Sequence, residues 1–214
     1  MKELLGDCGF VIDCETGGTR SYDCPIYSIG IVPIFAVYDR MGMLSELRIR
    51  KDMAFYFEGK VHALTQNPMD ADTAKWYDQM NLTSWVEGLP SRDLMTLMVQ
   101  LTSWFSKITS GIGIYNTTMW ANDPSFDRVL IDRVEYACKQ AIPGLGGIGL
   151  PKYWGNRCVR TAKSSLPREE IKLLPKFEGT KHNALDDAYH EALIVQAYVR
   201  WVAFANGKRE LKTL

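Results

Sequence analysis

The stretch Val11-Ile-Asp-Cys-Glu-Thr-Gly-Gly18 reads as the end of a short buried strand running into a glycine-bearing turn. Strand side chains alternate with period two, so Asp13 and Glu15 share one face. Cys14 then points to the other face, as a core thiol. Phe10, Val11 and Ile12 mark the strand as buried, where an unpaired carboxylate is costly. Two bare carboxylates side by side repel unless a cation lies between them. An all-oxygen donor set suits Mg²⁺ or Mn²⁺ rather than zinc.

Two later stretches carry matching acids. Trp120-Ala-Asn-Asp-Pro-Ser-Phe-Asp127 supplies Asp127, and His182-Asn-Ala-Leu-Asp-Asp187 supplies Asp187 with His182 five residues before it. A pair of divalent cations held by carboxylates is a device for in-line displacement at a phosphodiester. The leading expectation is therefore metal-dependent cleavage of nucleic acid. His182 has the chemistry of a proton acceptor working near neutral pH. Asp186 is the ambiguous neighbour of Asp187, because with Asn183 it can form a capping contact instead. An acid near a helix start is the plain alternative for Asp127.

The pattern around these motifs predicts α/β order. Phe10 to Cys14 and Ile26 to Tyr38 are expected strands, the second interrupted near Pro33, and 46–57 a third strand with a bulge. Helices are expected over 72–80, starting near Asp72 or Thr73, and over 91–108, capped by Ser91 and carrying Leu94, Leu97, Met98, Leu101, Trp104 and Phe105 on one stripe. Thr117 to Ala121 is a further strand. Asp123-Pro124 opens a helix to about 139, and Asn183 caps a last one from Ala184 to about 204 with Ala188, Ala192, Val195 and Val199 inward. Gly144-Leu-Gly-Gly-Ile-Gly149 matches a dinucleotide fingerprint in letters only. It follows a helix and runs into Pro151, so it is a connector.

The 214 residues fit one domain spanning 1–214, with 46% hydrophobic and 23% charged residues, ordinary for a globular protein. Net charge is zero, so no global field attracts nucleic acid. The stretch 151–182 nevertheless holds eight Lys or Arg against three acids, a candidate phosphate contact or a solvated helix face. Five cysteines without a Cys-x-x-Cys pair argue for reduced thiols and a cytoplasmic setting. The opening residues lack the apolar core of a signal peptide, and no apolar run is long enough to span a bilayer. Oligomeric state is open, a homodimer included. His62 and His190 have no motif around them.

The three acidic motifs in this order make the chain resemble the DEDD exonuclease superfamily, in the DEDDh subclass whose third motif is His-x-x-x-x-Asp. Within it the chain looks most like the phage and prophage exodeoxyribonuclease VIII-like group. Supporting stretches are Asp70-Ala-Asp-Thr-Ala-Lys-Trp76 and Tyr153-Trp-Gly-Asn-Arg-Cys-Val-Arg160, and the similarity runs from about 9 to about 199. The resemblance implies an RNase H-like three-layer α/β fold, whose mixed central sheet begins with three antiparallel strands and is flanked by helices. It further implies a 3′→5′ exonuclease acting at the free 3′ end of nucleic acid, DNA slightly favoured, and releasing nucleoside 5′-monophosphates. Two Mg²⁺ or Mn²⁺ ions would be held by Asp13, Glu15, Asp127 and Asp187, with His182 taking the proton of the attacking water. Thr16, Gly17 and Gly18 would meet the 3′-terminal nucleotide, the glycines allowing close approach to the backbone. Asn122 would hold its motif or touch substrate. Independently of the resemblance, Tyr27, Tyr22, Tyr153 and Trp154 are candidate base-stacking rings, although aromatics of this density are more often core. The alternatives are an exoribonuclease with the same site, an inactive nucleic-acid-binding module, or a proofreading subunit.

Overall fold

A computed structural model describes residues 6–40, 44–61, 68–112 and 116–205. Strand β1 (Cys8–Thr16) runs antiparallel to β2 (Ile26–Tyr38) and parallel to β5 (Thr117–Ala121), which is parallel to β6 (Asn156–Cys158). With β3 (Leu44–Ile49) and β4 (Phe55–Val61), the sheet order is β3-β2-β1-β5-β6, and β4 also lies on β2. This is the RNase H-like order that the sequence implies.

The expected third strand is in fact two. β3 (Leu44–Ile49) pairs with the second half of β2, β4 (Phe55–Val61) with the first half, and a 3₁₀ turn at Lys51–Met53 separates them. Pro33 explains the break. It has no N–H to donate to a continuous partner strand, and only its carbonyl is used, by the Arg50 N–H at 3.0 Å.

Alternation along β1 splits the core into two layers. Phe10 and Ile12 face α3 (Leu94–Thr109) and α4 (Asp127–Ala141), where Leu97, Leu101, Phe105, Leu130 and Val134 are fully buried. Val11 faces the other way, with Val32, Ile34 and Trp120, against α5 (Val159–Ser165) and α7 (Ala184–Ala205). Cys14 lies on the α3/α4 side and is buried, as its parity requires. A third cluster joins Tyr27 to Tyr77 of α1 (Ala71–Gln79), Val86 of α2 (Thr83–Gly88) and Leu89, which follows α2. A short α6 (Arg168–Lys172) lies on the surface.

Helix starts differ from expectation by a few residues. Asp70 caps α1 by accepting the Thr73 N–H at 2.7 Å, and Asp93, not Ser91, caps α3 by accepting from Thr96 at 2.9 Å. Asp123 does not cap α4. Its carboxylate accepts from the Ser125 N–H and hydroxyl, which folds 123–126 into a turn and makes Asp127 the first helical residue. Asn183 caps α7 as expected, accepting from Leu185 and Asp186 at 3.1 and 3.2 Å. Loop 142–152 opens no dinucleotide-binding helix; it tucks Ile148 and Leu150 into the core. No helix among the described residues is long and apolar enough to cross a membrane.

Candidate active site

The acidic residues converge at the C-terminal end of β1. Asp13 and Glu15 have the parity of Val11 and so face α7. Gly30 pairs directly with Asp13, and a Cβ there would sit 2.2 Å from the Ala184 carbonyl oxygen. The missing side chain lets the first turn of α7 rest against the sheet backbone, which brings Asp187 over β1. Further along the helix the small, fully buried Ala188 and Ala192 pack in one cluster with Val11 and Val32 of the sheet. Asp127 is tied in from the other side, its Oδ1 accepting the Cys14 N–H at 3.1 Å.

His182 adopts a left-handed backbone at φ 63°, uncommon outside glycine. In that conformation its N–H donates to Asp187 Oδ2 at 2.7 Å. Its Nδ1 lies 3.8 Å from Glu15 Oε1, and its ring meets Trp76 edge-on at 4.7 Å. One ligand atom each from Glu15, His182 and Asp187 falls within 4.8 Å of the others. Asp186 turns away. It pairs with Lys51 Nζ at 2.8 Å and accepts the Thr180 N–H at 3.0 Å, so it anchors the loop that carries His182. The two aspartates, about 100° apart on the helix, thus do different work.

Charge accumulates without compensation. Burial, then Asp127, Glu191, Glu15 and Asp187, push Asp13 well above the ordinary carboxylate range. Burial, followed by Asp187 and Asp127, raises Glu15 to about 8. Burial raises Asp127 to about 7, and it also raises Asp187. Among the described residues no lysine or arginine forms an ion pair with any of these four. A set of carboxyl oxygens that repel one another and lack a protein cation fits Mg²⁺ or Mn²⁺.

Beside Glu15 opens a pocket of about 830 Å³ between the β1–β2 turn and α1, lined among others by Thr16, Gly18, Asp70, Trp76 and Tyr77. Arg133 of α4 holds one wall, donating to the carbonyls of Ser21 and Cys24 at 2.6 and 2.7 Å. Tyr77 supports the floor by donating to the Thr16 carbonyl at 3.1 Å. The glycines serve packing as well as access. A Cβ at Gly17 would meet the Tyr27 hydroxyl at 2.6 Å, and one at Gly18 would meet an Asp70 carboxylate oxygen at 2.8 Å.

Several expectations change. Tyr27 is buried beneath Gly17, edge-on to Tyr77, so it presents no face for a base. Tyr153 and Trp154 are exposed but precede the N-terminal end of β6, whereas the carboxylates gather at the C-terminal ends of β1 and β5. Asn122 is exposed; its backbone carbonyl accepts from the Cys158 thiol at 3.3 Å. In the basic stretch Lys172 is paired with Glu169, while Arg160 lies near Asp123 and Lys163 near His190. His190 packs on Phe177, and His62 lies outside the described residues. Sequence reading missed Trp76 as the wall shared by pocket and histidine, and Glu191 of α7, which joins the four expected acids as a fifth. The signal for Glu191 was its position four residues after Asp187, on the same helix face.

The family model described as "3'-5' exoribonuclease Rv2179c-like domain" matches residues 8–199. No curated protein matches the sequence. Among solved structures, the nuclease domain of 3'hExo, a DEDDh family member bound to rAMP, aligns over 98% of both chains with a TM-score of 0.52 and 12% identity. That likeness supports the fold. The exodeoxyribonuclease VIII-like grouping expected from sequence is not the one that the family model names.

Proposed function

We propose that this chain, which belongs to the 3′-5′ exoribonuclease Rv2179c-like family, shortens RNA from its 3′ end and releases nucleoside 5′-monophosphates. The observation that carries the reading is a cluster of crowded, buried carboxylates whose Glu15 also lines an adjoining pocket of about 830 Å³. The enzyme is a metal-dependent 3′→5′ exonuclease. RNA replaces the DNA preference expected from sequence, because the family description names an exoribonuclease.

Asp13, Glu15, Asp127 and Asp187 are the residues that would hold the divalent cations. When bound, such cations polarise the phosphodiester and stabilise the charge that develops on the leaving oxygen. The terminal nucleoside would enter the pocket beside Thr16, Gly17 and Gly18, with its phosphate toward Glu15. Trp76 would then touch both the nucleotide and His182. His182, oriented by its backbone bond to Asp187, would accept the proton of the attacking water. Burial of the cluster strengthens each of these electrostatic contacts relative to water.

Matched RNA and DNA oligonucleotides of one sequence, incubated with Mg²⁺ under identical conditions, test the substrate. The RNA should shorten faster. An equal or faster rate on DNA would overturn the assignment to RNA.

A further inference from the structure

Glu191 belongs to none of the three acidic motifs, yet it reaches the same centre. It stands one helical turn after Asp187 on α7, so both side chains point along one face. Its carboxylate accepts the backbone N–H of Asn122, the residue that follows β5. The other oxygen, Oε2, is fully buried and has no hydrogen-bond partner. Asp127 and Asp187 are the charges that act on it most strongly, and it in turn acts on Asp13. Leaving a carboxylate oxygen buried and unpaired is costly. A purely structural acid at this position would ordinarily meet a donor on both oxygens.

We infer that Glu191 is a fifth carboxylate of the cation site, fixed on one side by Asn122 and using Oε2 to hold a divalent ion or a water of its shell. The inference rests on the metal-dependent reading above. Its physical logic is that of metal sites generally, in which an outer carboxylate orients the inner ligands and adds negative potential. Glu191 thus acts on the cation and its ligands Asp13, Asp127 and Asp187, and is not among the residues lining the nucleotide pocket.

Mn²⁺ binding to the metal-free protein, followed by titration calorimetry, tests this without reference to turnover. Wild type, Glu191→Gln, Glu191→Asp and Asp187→Asn are compared, with melting temperatures in EDTA as the folding control. Glu191→Gln keeps the shape and the Asn122 contact but removes the anion, and should weaken Mn²⁺ affinity about 10- to 100-fold. Its EDTA melting temperature should not fall. Glu191→Asp, which keeps the charge, should recover part of the affinity. Wild-type affinity in Glu191→Gln would overturn the inference while leaving the site reading intact, provided that Asp187→Asn binds weakly. No Mn²⁺ binding by wild type would overturn both.

Discussion

Replacing Gly30 with alanine should disable the site without touching any chemical group in it. The new Cβ would lie 2.2 Å from the Ala184 carbonyl oxygen, 2.3 Å from its carbon and 2.5 Å from the Leu185 nitrogen. All three are backbone atoms in the first turn of a long helix, so no side chain can swing aside. Reaching ordinary contact requires α7 and β2 to separate by more than about 1 Å. Overpacking of this kind costs about 1–3 kcal/mol. The separation also lifts Asp187 and the His182 loop from Asp13, the direct partner of Gly30. Misplacement by about 1 Å reduces catalysis on the order of 10²-fold. Urea unfolding and single-turnover cleavage on the same preparation check both numbers. Wild-type turnover at unchanged stability would refute the argument that this contact sets the geometry of the site.

Three further outcomes follow from the same geometry. Asp187→Asn should reduce cleavage by about 10³-fold or more, several kcal/mol of transition-state stabilisation, whereas Asp186→Asn should lose at most about 1 kcal/mol of stability from its contacts with Lys51 and Thr180; the reverse ranking would show the motif misplaced by one residue. His182→Ala should lower turnover by about 10² to 10⁴-fold with Mn²⁺ affinity largely kept, and full activity would remove the histidine from the mechanism. The raised carboxyls also set a pH dependence. With Glu15 at about 8 and Asp127 at about 7 in the folded protein, the fold retains protons that the unfolded chain has already released. Their stabilising contribution in metal-free protein is complete below about pH 4 and is lost as pH rises through 7 to 8. Melting temperatures in EDTA should therefore fall between about pH 6 and about pH 8.5, and excess Mg²⁺ should restore the loss; a flat EDTA profile would contradict the crowding of charge.

Much of this arrangement was legible in the sequence because it depends on period and spacing. Alternation placed Asp13 and Glu15 together and Cys14 opposite, and the helix angle between Asp186 and Asp187 required that only one face β1. What escaped depended on contacts between distant segments. Pro33 marks an interruption of β2 but does not reveal that β4 gives way to β3 there, which follows from the Pro33 carbonyl meeting the Arg50 N–H. For Tyr27 the choice between stacking ring and core residue is settled by Tyr77 and its cluster on α1 and α2, fifty residues later in the chain. Gly17 and Gly18 line the pocket as the sequence suggested, but the side of each that a Cβ would occupy is filled by Tyr27 and Asp70, a packing role that only the folded chain reveals. Glu191 carried the right helical spacing and lay outside the motif boundary.

The most direct test of the central claim is a time course on RNA labelled at its 5′ end, run with Mg²⁺ and with EDTA. A 3′→5′ exonuclease predicts a ladder of labelled products shortening one nucleotide at a time with Mg²⁺, and none with EDTA. Release of the labelled 5′ nucleotide as the first product, or cleavage that persists in EDTA, would contradict it.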